Sequence, residues 1–122
     1  MLTDLEKNAI RDHYQNIGKN LPGFRPRASQ REMIAAIANA FSRTLTREEG
    51  EEAPKREGES IAVIEGPTGV GKSLAYLLAG GIMAQTRGKR LIVSSATVAL
   101  QEQLVDRDLP FLVEKSGLEL TF

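Results

Sequence analysis

The chain has 122 residues, 41% hydrophobic and 26% charged, a globular composition that excludes a disordered chain and allows one core. Sixteen Lys and Arg balance sixteen Asp and Glu, so there is no global basic field and any contact with nucleic acid must be local. Cysteine is absent, which excludes disulfides and thiolate-ligated zinc or iron–sulfur clusters within these residues. Met1-Leu2-Thr3-Asp4-Leu5 lacks the apolar run of a signal peptide, and no segment approaches the roughly 20 apolar residues that span a bilayer. The expectation is a soluble, cytoplasmic protein with no membrane partner.

Thr3 or Asp4 caps a first helix, along which Leu5, Ala9, Ile10, Tyr14 and Ile17 recur at helical spacing until Gly18 and Asn20-Leu21-Pro22-Gly23. His13 on this helix is read as a surface or packing residue rather than a ligand. Pro26 keeps its predecessor extended. Ser29 and Glu32 then fit a capping box ahead of a second helix striped by Met33, Ile34, Ile37, Ala38 and Phe41. From 43 to 60 the stripe stops. Glu48, Glu49, Glu51, Glu52, Glu57 and Glu59 face Arg43, Arg47, Lys55 and Arg56, a composition that predicts a solvated, mobile acidic loop.

Ser60-Ile61-Ala62-Val63-Ile64-Glu65 is a short apolar run of the kind buried on both faces of a parallel sheet. A glycine-rich loop follows, then a helix carrying Leu74, Leu77, Leu78, Ile82 and Met83, closed by Gly88. Arg90-Leu91-Ile92-Val93-Ser94 predicts a second strand. Val98, Leu100, Leu104 and Val105 predict a helix ending near Pro110, and Leu118–Phe122 can begin a third strand. Asp106 and Asp108 flank Arg107 near that helix end and are read as solvated. The alternation predicts an α/β fold with a parallel sheet and right-handed crossovers.

Gly66-Pro67-Thr68-Gly69-Val70-Gly71-Lys72-Ser73 matches the G-x-x-x-x-G-K-S phosphate-binding consensus (the P-loop, or Walker A) without a gap. The residue types suit the chemistry. Gly66, Gly69 and Gly71 allow backbone to approach a phosphate, and successive N–H groups can then form an anion nest. The loop opens a helix whose unpaired N–H groups favour anions. Lys72 supplies a compact positive charge to the β- and γ-phosphates, and the Ser73 hydroxyl suits a magnesium ion. Lys72 is therefore the candidate catalytic residue. Gly66, Pro67, Thr68, Gly69, Val70, Gly71, Lys72 and Ser73 are the candidate nucleotide contacts, and Ser73 the candidate Mg2+ contact.

Three segments together resemble a known family. Glu65–Ser73 is similar to motif I of superfamily 2 helicases, especially the bacterial DinG group and its relative XPD. Arg25-Pro26-Arg27-Ala28-Ser29-Gln30-Arg31-Glu32-Met33 resembles the R-P-x-x-Q-x-x-M element that precedes motif I in that family. Ser94-Ser95-Ala96-Thr97-Val98-Ala99-Leu100-Gln101-Glu102-Gln103-Leu104 resembles its motif Ia. The resemblance implies a P-loop NTPase with a partial RecA-like sheet flanked by helices. It divides the chain into N-terminal helices with an adenine-recognition segment (1–42), the acidic loop (43–60) and the first part of motor domain 1 (61–122).

The resemblance further implies that Gln30, whose amide both donates and accepts, meets the N6/N7 edge of adenine. Arg27 either flanks the base or holds that segment in place. Ser95, Ala96, Thr97 and Gln101 would touch the backbone of a translocated single strand, the alternative for each hydroxyl being to cap the next helix. The implied function is an ATP-dependent DNA helicase, active in DNA repair or replication, with ATP, Mg2+ and single-stranded DNA as its ligands and an iron–sulfur cluster in residues beyond these. No Asp-Glu-Ala-His sequence and no second motor domain occur here, so the chain is expected to be an inactive N-terminal piece of the enzyme. Two other readings are a nucleotide-binding module without catalysis and another phosphate-loop enzyme such as a kinase.

Overall fold

The computed structural model describes residues 1–43, 61–66 and 71–122. Helix α1 spans Asp4–Asn20, α2 Ala28–Ser42 and α3 Lys72–Thr86. A last helical stretch comprises α4 (Val98–Gln103), a π-helical turn (Leu104–Asp108) and α5 (Leu109–Ser116).

Each boundary has a local cause. The Thr3 hydroxyl accepts from Glu6 N at 3.1 Å while Thr3 N donates to Glu6 Oε1 at 3.0 Å, a complete capping box at the head of α1. Gly18 does not stop α1, which runs on to Asn20. The capping box expected at Ser29 and Glu32 does not form. Helix α2 starts at Ala28 directly after an extended Arg27, which places Ser29 inside the first turn, where its hydroxyl is out of cap position. Nor does the last helix stop at Pro110. Proline lacks an N–H and crowds the carbonyl four residues back. The helix relaxes into a π turn, with Leu109 N donating to Leu104 O, and continues to Ser116.

Helix α3 is the centre of the core. Ala75, Leu77, Leu78, Ala79, Ile82 and Met83 are all buried, an apolar circumference that needs neighbours on every side. Met33, Ile34 and Ala38 of α2 and Tyr14 and Ile17 of α1 cover it, with Leu104, Leu112 and Leu118 completing the cluster. Gly80 and Gly81 let extended chain lie close against α3. A Cβ at Gly80 would come within 2.9 Å of the Leu91 methyls, and one at Gly81 within 3.4 Å of Leu120.

The parallel sheet expected from the sequence is absent among the described residues: 61–66, 89–95 and 117–122 contain no strand. Apolar β-branched runs prefer an extended backbone, but a strand also needs a partner in register about 4.8 Å away. The run 61–64 and the pair Ile92 and Val93 instead face outward, with Val63 95% and Ile92 87% exposed. Leu91 and Leu120 pack onto α3 rather than onto a neighbouring strand. The described architecture is therefore helical, and the α/β expectation is corrected. The acidic segment expected at 43–60 lies, from residue 44 onward, outside the described residues, and Arg43 caps the end of α2. No helix among the described residues is long and apolar enough to cross a membrane.

Candidate functional site

Helix α3 begins on glycine. Gly71 is its N-cap, in the left-handed region at φ +74°, and no side chain caps the helix. Thr3 and Thr97, by contrast, cap α1 and α4 with their hydroxyls. An uncapped helix start leaves its first N–H groups available to an anion. Gly71 and Lys72 are exposed there and Ser73 is half-buried. Lys72 has no hydrogen-bond or ion-pair partner among the described residues. Gly66 is half-buried, and Pro67, Thr68, Gly69 and Val70 lie outside the described residues.

The left-handed conformation suits a residue without Cβ, and a second constraint acts at the same place. A Cβ on Gly71 would run into Nε2 of Gln30. Gln30 is 4% exposed and bonded at both ends of its amide: its Nε2 donates to Gly71 O at 3.2 Å, and its Oε1 accepts from the Tyr14 hydroxyl at 2.6 Å, leaving one N–H and one lone pair. The two segments that the family resemblance assigns to one site thus meet through Gln30 and Gly71. Burial pushes the Tyr14 phenol above its ordinary pKa of 10.0, opposed by a hydrogen bond from the Arg27 backbone and by the charge of Arg31. The phenol therefore remains a donor at neutral pH.

A cleft of about 460 Å³ opens beside this junction, lined by Phe24, Arg25, Arg27, Gln30, Gly71, Leu74 and Phe111 among others. Its size falls within the roughly 300–1,000 Å³ of small-molecule sites, and it combines two aromatic rings with two guanidinium groups and one amide. Arg27, exposed, lies on its rim. The depressions along the other side of α3, beside Gly80, Ala84 and Leu91, are the seam between that helix and the extended run 89–93.

Ser95, Thr97 and Gln101 form a separate turn bonded to itself. Thr97 Oγ1 accepts from Leu100 N at 3.2 Å, Ser95 Oγ accepts from Thr97 N at 3.4 Å, and Gln101 Nε2 donates to Ser95 O at 3.2 Å. Ala96, Thr97 and Gln101 are exposed. The capping role foreseen as the alternative for Thr97 is realised. No hydrogen bond among the described residues joins this turn to Gln30, Gly71, Lys72 or Ser73.

An uncapped helix start, a left-handed glycine and a Lys72 without a partner among the described residues are features that suit an anion, and the Ser73 hydroxyl follows directly in the chain. No group of three or more His, Asp or Glu able to hold a metal by themselves occurs among the described residues. An iron–sulfur cluster has no ligand here, because the chain has no cysteine. His13 acts structurally. Its Nδ1 donates to Ser116 O at 2.8 Å, beside Asn16 Nδ2 on the same carbonyl and Asn20 Nδ2 on Lys115 O, so α1 satisfies the open end of α5. Tyr14, Phe24 and Phe111 were not singled out as site residues from the sequence. The available signal was that a buried tyrosine hydroxyl requires a partner.

The chain is 43% identical over all 122 of its residues to the ATP-dependent DNA helicase DinG of Photobacterium profundum. It is 44% and 43% identical over 111 residues, 91% of its length, to the proteins of that name from Salmonella typhimurium and Escherichia coli. The chain spans 16%, 14% and 14% of the length of these relatives. No family model matches it. The resemblance to the DinG group carried by the three motifs thus extends over the whole chain.

Proposed function

We propose that these residues form the ATP-binding part of a DinG-type DNA helicase, a cytoplasmic motor that couples ATP hydrolysis to movement along single-stranded DNA. The observation that carries this reading is the start of α3, where left-handed Gly71 leaves an uncapped helix beside a Lys72 with no partner among the described residues. Residues 1–42 bring the adenine end through Gln30 and Arg27, and residues 61–122 bring the phosphate end. Gly66–Ser73 wraps the phosphates, Lys72 holds the β- and γ-oxygens, and the Ser73 hydroxyl ligates Mg2+. The turn Ser95–Gln101 contacts the backbone of the DNA strand, where exposed N–H and hydroxyl groups hold phosphate without reading sequence. What supports the motor rather than a kinase is the presence of the Gln30 and Ser94–Leu104 segments and the likeness to DinG helicases along the whole chain.

A second reading is favoured by one observation. No Asp-Glu-Ala-His sequence occurs in the 122 residues, so on their own they bind nucleotide without hydrolysing it. Both readings are tested by ATPase assays of this chain and of the complete protein, each with and without single-stranded DNA. The motor reading expects DNA-stimulated turnover in the complete protein, abolished by Lys72→Ala, and none in the 122 residues. Appreciable DNA-stimulated turnover by residues 1–122 alone contradicts the claim that a catalytic acid must come from elsewhere. Unwinding retained by Lys72→Ala contradicts the site.

A further inference from the structure

The core holds one polar chain that the proposed nucleotide contacts do not explain. Tyr14 on α1 donates to Gln30 Oε1 on α2, and Gln30 Nε2 donates to the carbonyl of Gly71 at the head of α3. Three helices are tied by two hydrogen bonds, the first buried and the second part-buried, ending on exposed Gly71 of the phosphate loop.

The direction of the chain follows from donor and acceptor types. A carbonyl only accepts, so the face of the Gln30 amide toward Gly71 must be the NH2 group, leaving Oε1 toward Tyr14. The tyrosine hydroxyl can fill that place only by donating. Gly71 O accepts a second bond, from Ala75 N at 3.1 Å, the first hydrogen bond inside α3. A carbonyl held from two sides fixes its peptide plane. The opposite edge of that plane is the Lys72 N–H, since the trans peptide is rigid. This N–H is among the first donors of the helix, directed where an anion would sit.

We propose that Tyr14 is a positioning residue for phosphate binding. Through Gln30 it orients the Gly71–Lys72 peptide, so that the Lys72 N–H is aimed before a nucleotide arrives. The inference rests on the nucleotide site proposed above and deepens it, giving Gln30 a role toward the loop besides any contact with the base. The aromatic edge contact of Tyr14 with Phe24, ring centroids 5.7 Å apart, keeps the phenol ring in place when the hydroxyl is removed, so Tyr14→Phe deletes the hydroxyl's bonds to Gln30 and to the Arg27 backbone and little packing.

The test is equilibrium binding to the complete protein of two probes, Mg·ATP and base-free Mg·tripolyphosphate. Wild type is compared with Tyr14→Phe, Gln30→Met, the double variant and Lys72→Ala. Losing one orienting hydrogen bond should weaken both probes by a similar factor, about fivefold. In the Gln30→Met background, Tyr14→Phe should add nothing further to the loss, because its path to the loop is gone. A packing role would lower the melting temperature in both backgrounds and leave the two dissociation constants additive. Unchanged tripolyphosphate binding in Tyr14→Phe overturns the proposal, as does a full additive loss in the double variant. Should Tyr14→Phe fail to fold, Gln30→Met decides alone: undiminished tripolyphosphate binding overturns it. Failure of the underlying site has a different signature, namely Lys72→Ala binding both probes as tightly as wild type.

Discussion

The two ends of helix α3 are built on opposite principles. At its C-terminal end the side chains of Gln85, Thr86 and Arg87 are all hydrogen-bonded. Glu6, a buried residue of α1, accepts from Arg87 Nε at 2.9 Å and from the Thr86 hydroxyl at 2.9 Å, while Arg87 also donates to Ser42 O and Met1 O. At its N-terminal end the helix starts on a glycine without a side-chain cap, and Lys72 points its charge at no described partner. A buried ion pair is costly to break because it leaves an uncompensated charge, whereas the first N–H groups of an uncapped helix favour an anion. One end holds the fold, and the other is the end proposed above to bind nucleotide. Stability and ligand binding should therefore respond to different substitutions.

Lys72→Ala should break the comparison most sharply at the open end. Loss of one preorganised phosphate contact lowers turnover of the complete protein by about 10²–10³, with the melting temperature unchanged. A melting temperature that falls with activity would show that Lys72 serves the fold.

Glu6→Gln probes the closed end. The Arg87 guanidinium above all holds the Glu6 carboxyl down from 4.5 to about 2, against the upward push of burial and with help from Thr3 N–H and the Thr86 hydroxyl. A carboxylate depressed in the folded state stabilises fully above its unfolded pKa and loses that contribution as pH falls through its folded value. Wild type should thus exceed Glu6→Gln by about 2–3 kcal/mol at pH 7, a gap that closes between about pH 4.5 and pH 2. Urea unfolding across that range measures it, with nucleotide affinity at pH 7 unchanged. A gap independent of pH would remove the ion pair as its cause.

Gly71→Ala should touch both properties. The left-handed backbone costs about 1–2 kcal/mol with a Cβ, and that Cβ meets Gln30. Calorimetry and ATP titration should both register the change; an intact affinity would separate the Gly71 conformation from the site. Thr3→Ala, which removes a cap far from the open end, should cost about 1 kcal/mol in stability and nothing in ATP binding.

Local features were legible in the sequence. The Thr3 cap, the apolar stripes of α1 to α3, and the glycine–lysine–serine start of α3 all follow from patterns within a few residues. The bond of Gln30 to Gly71 was not legible: resemblance to a family gave Gln30 a contact with adenine, not with the loop. Sheet pairing was not legible: the β-branched runs at 61–64 and 91–93 record a preference for extended backbone, whereas pairing depends on a neighbour that composition does not name. Pro110 misled because the π turn directly before it accommodates its clash. Glu6 with Arg87, 81 residues apart, and Tyr14 with Gln30 join different helices, so no periodicity within one helix announces them.

Amide hydrogen exchange with and without Mg·ATP tests the two-ended account most directly. Protection should rise at Lys72, Ser73 and Leu74, the first N–H groups of α3, and stay level at Met83–Arg87. Protection that rises only along the 89–93 seam, or nowhere on α3, would contradict it.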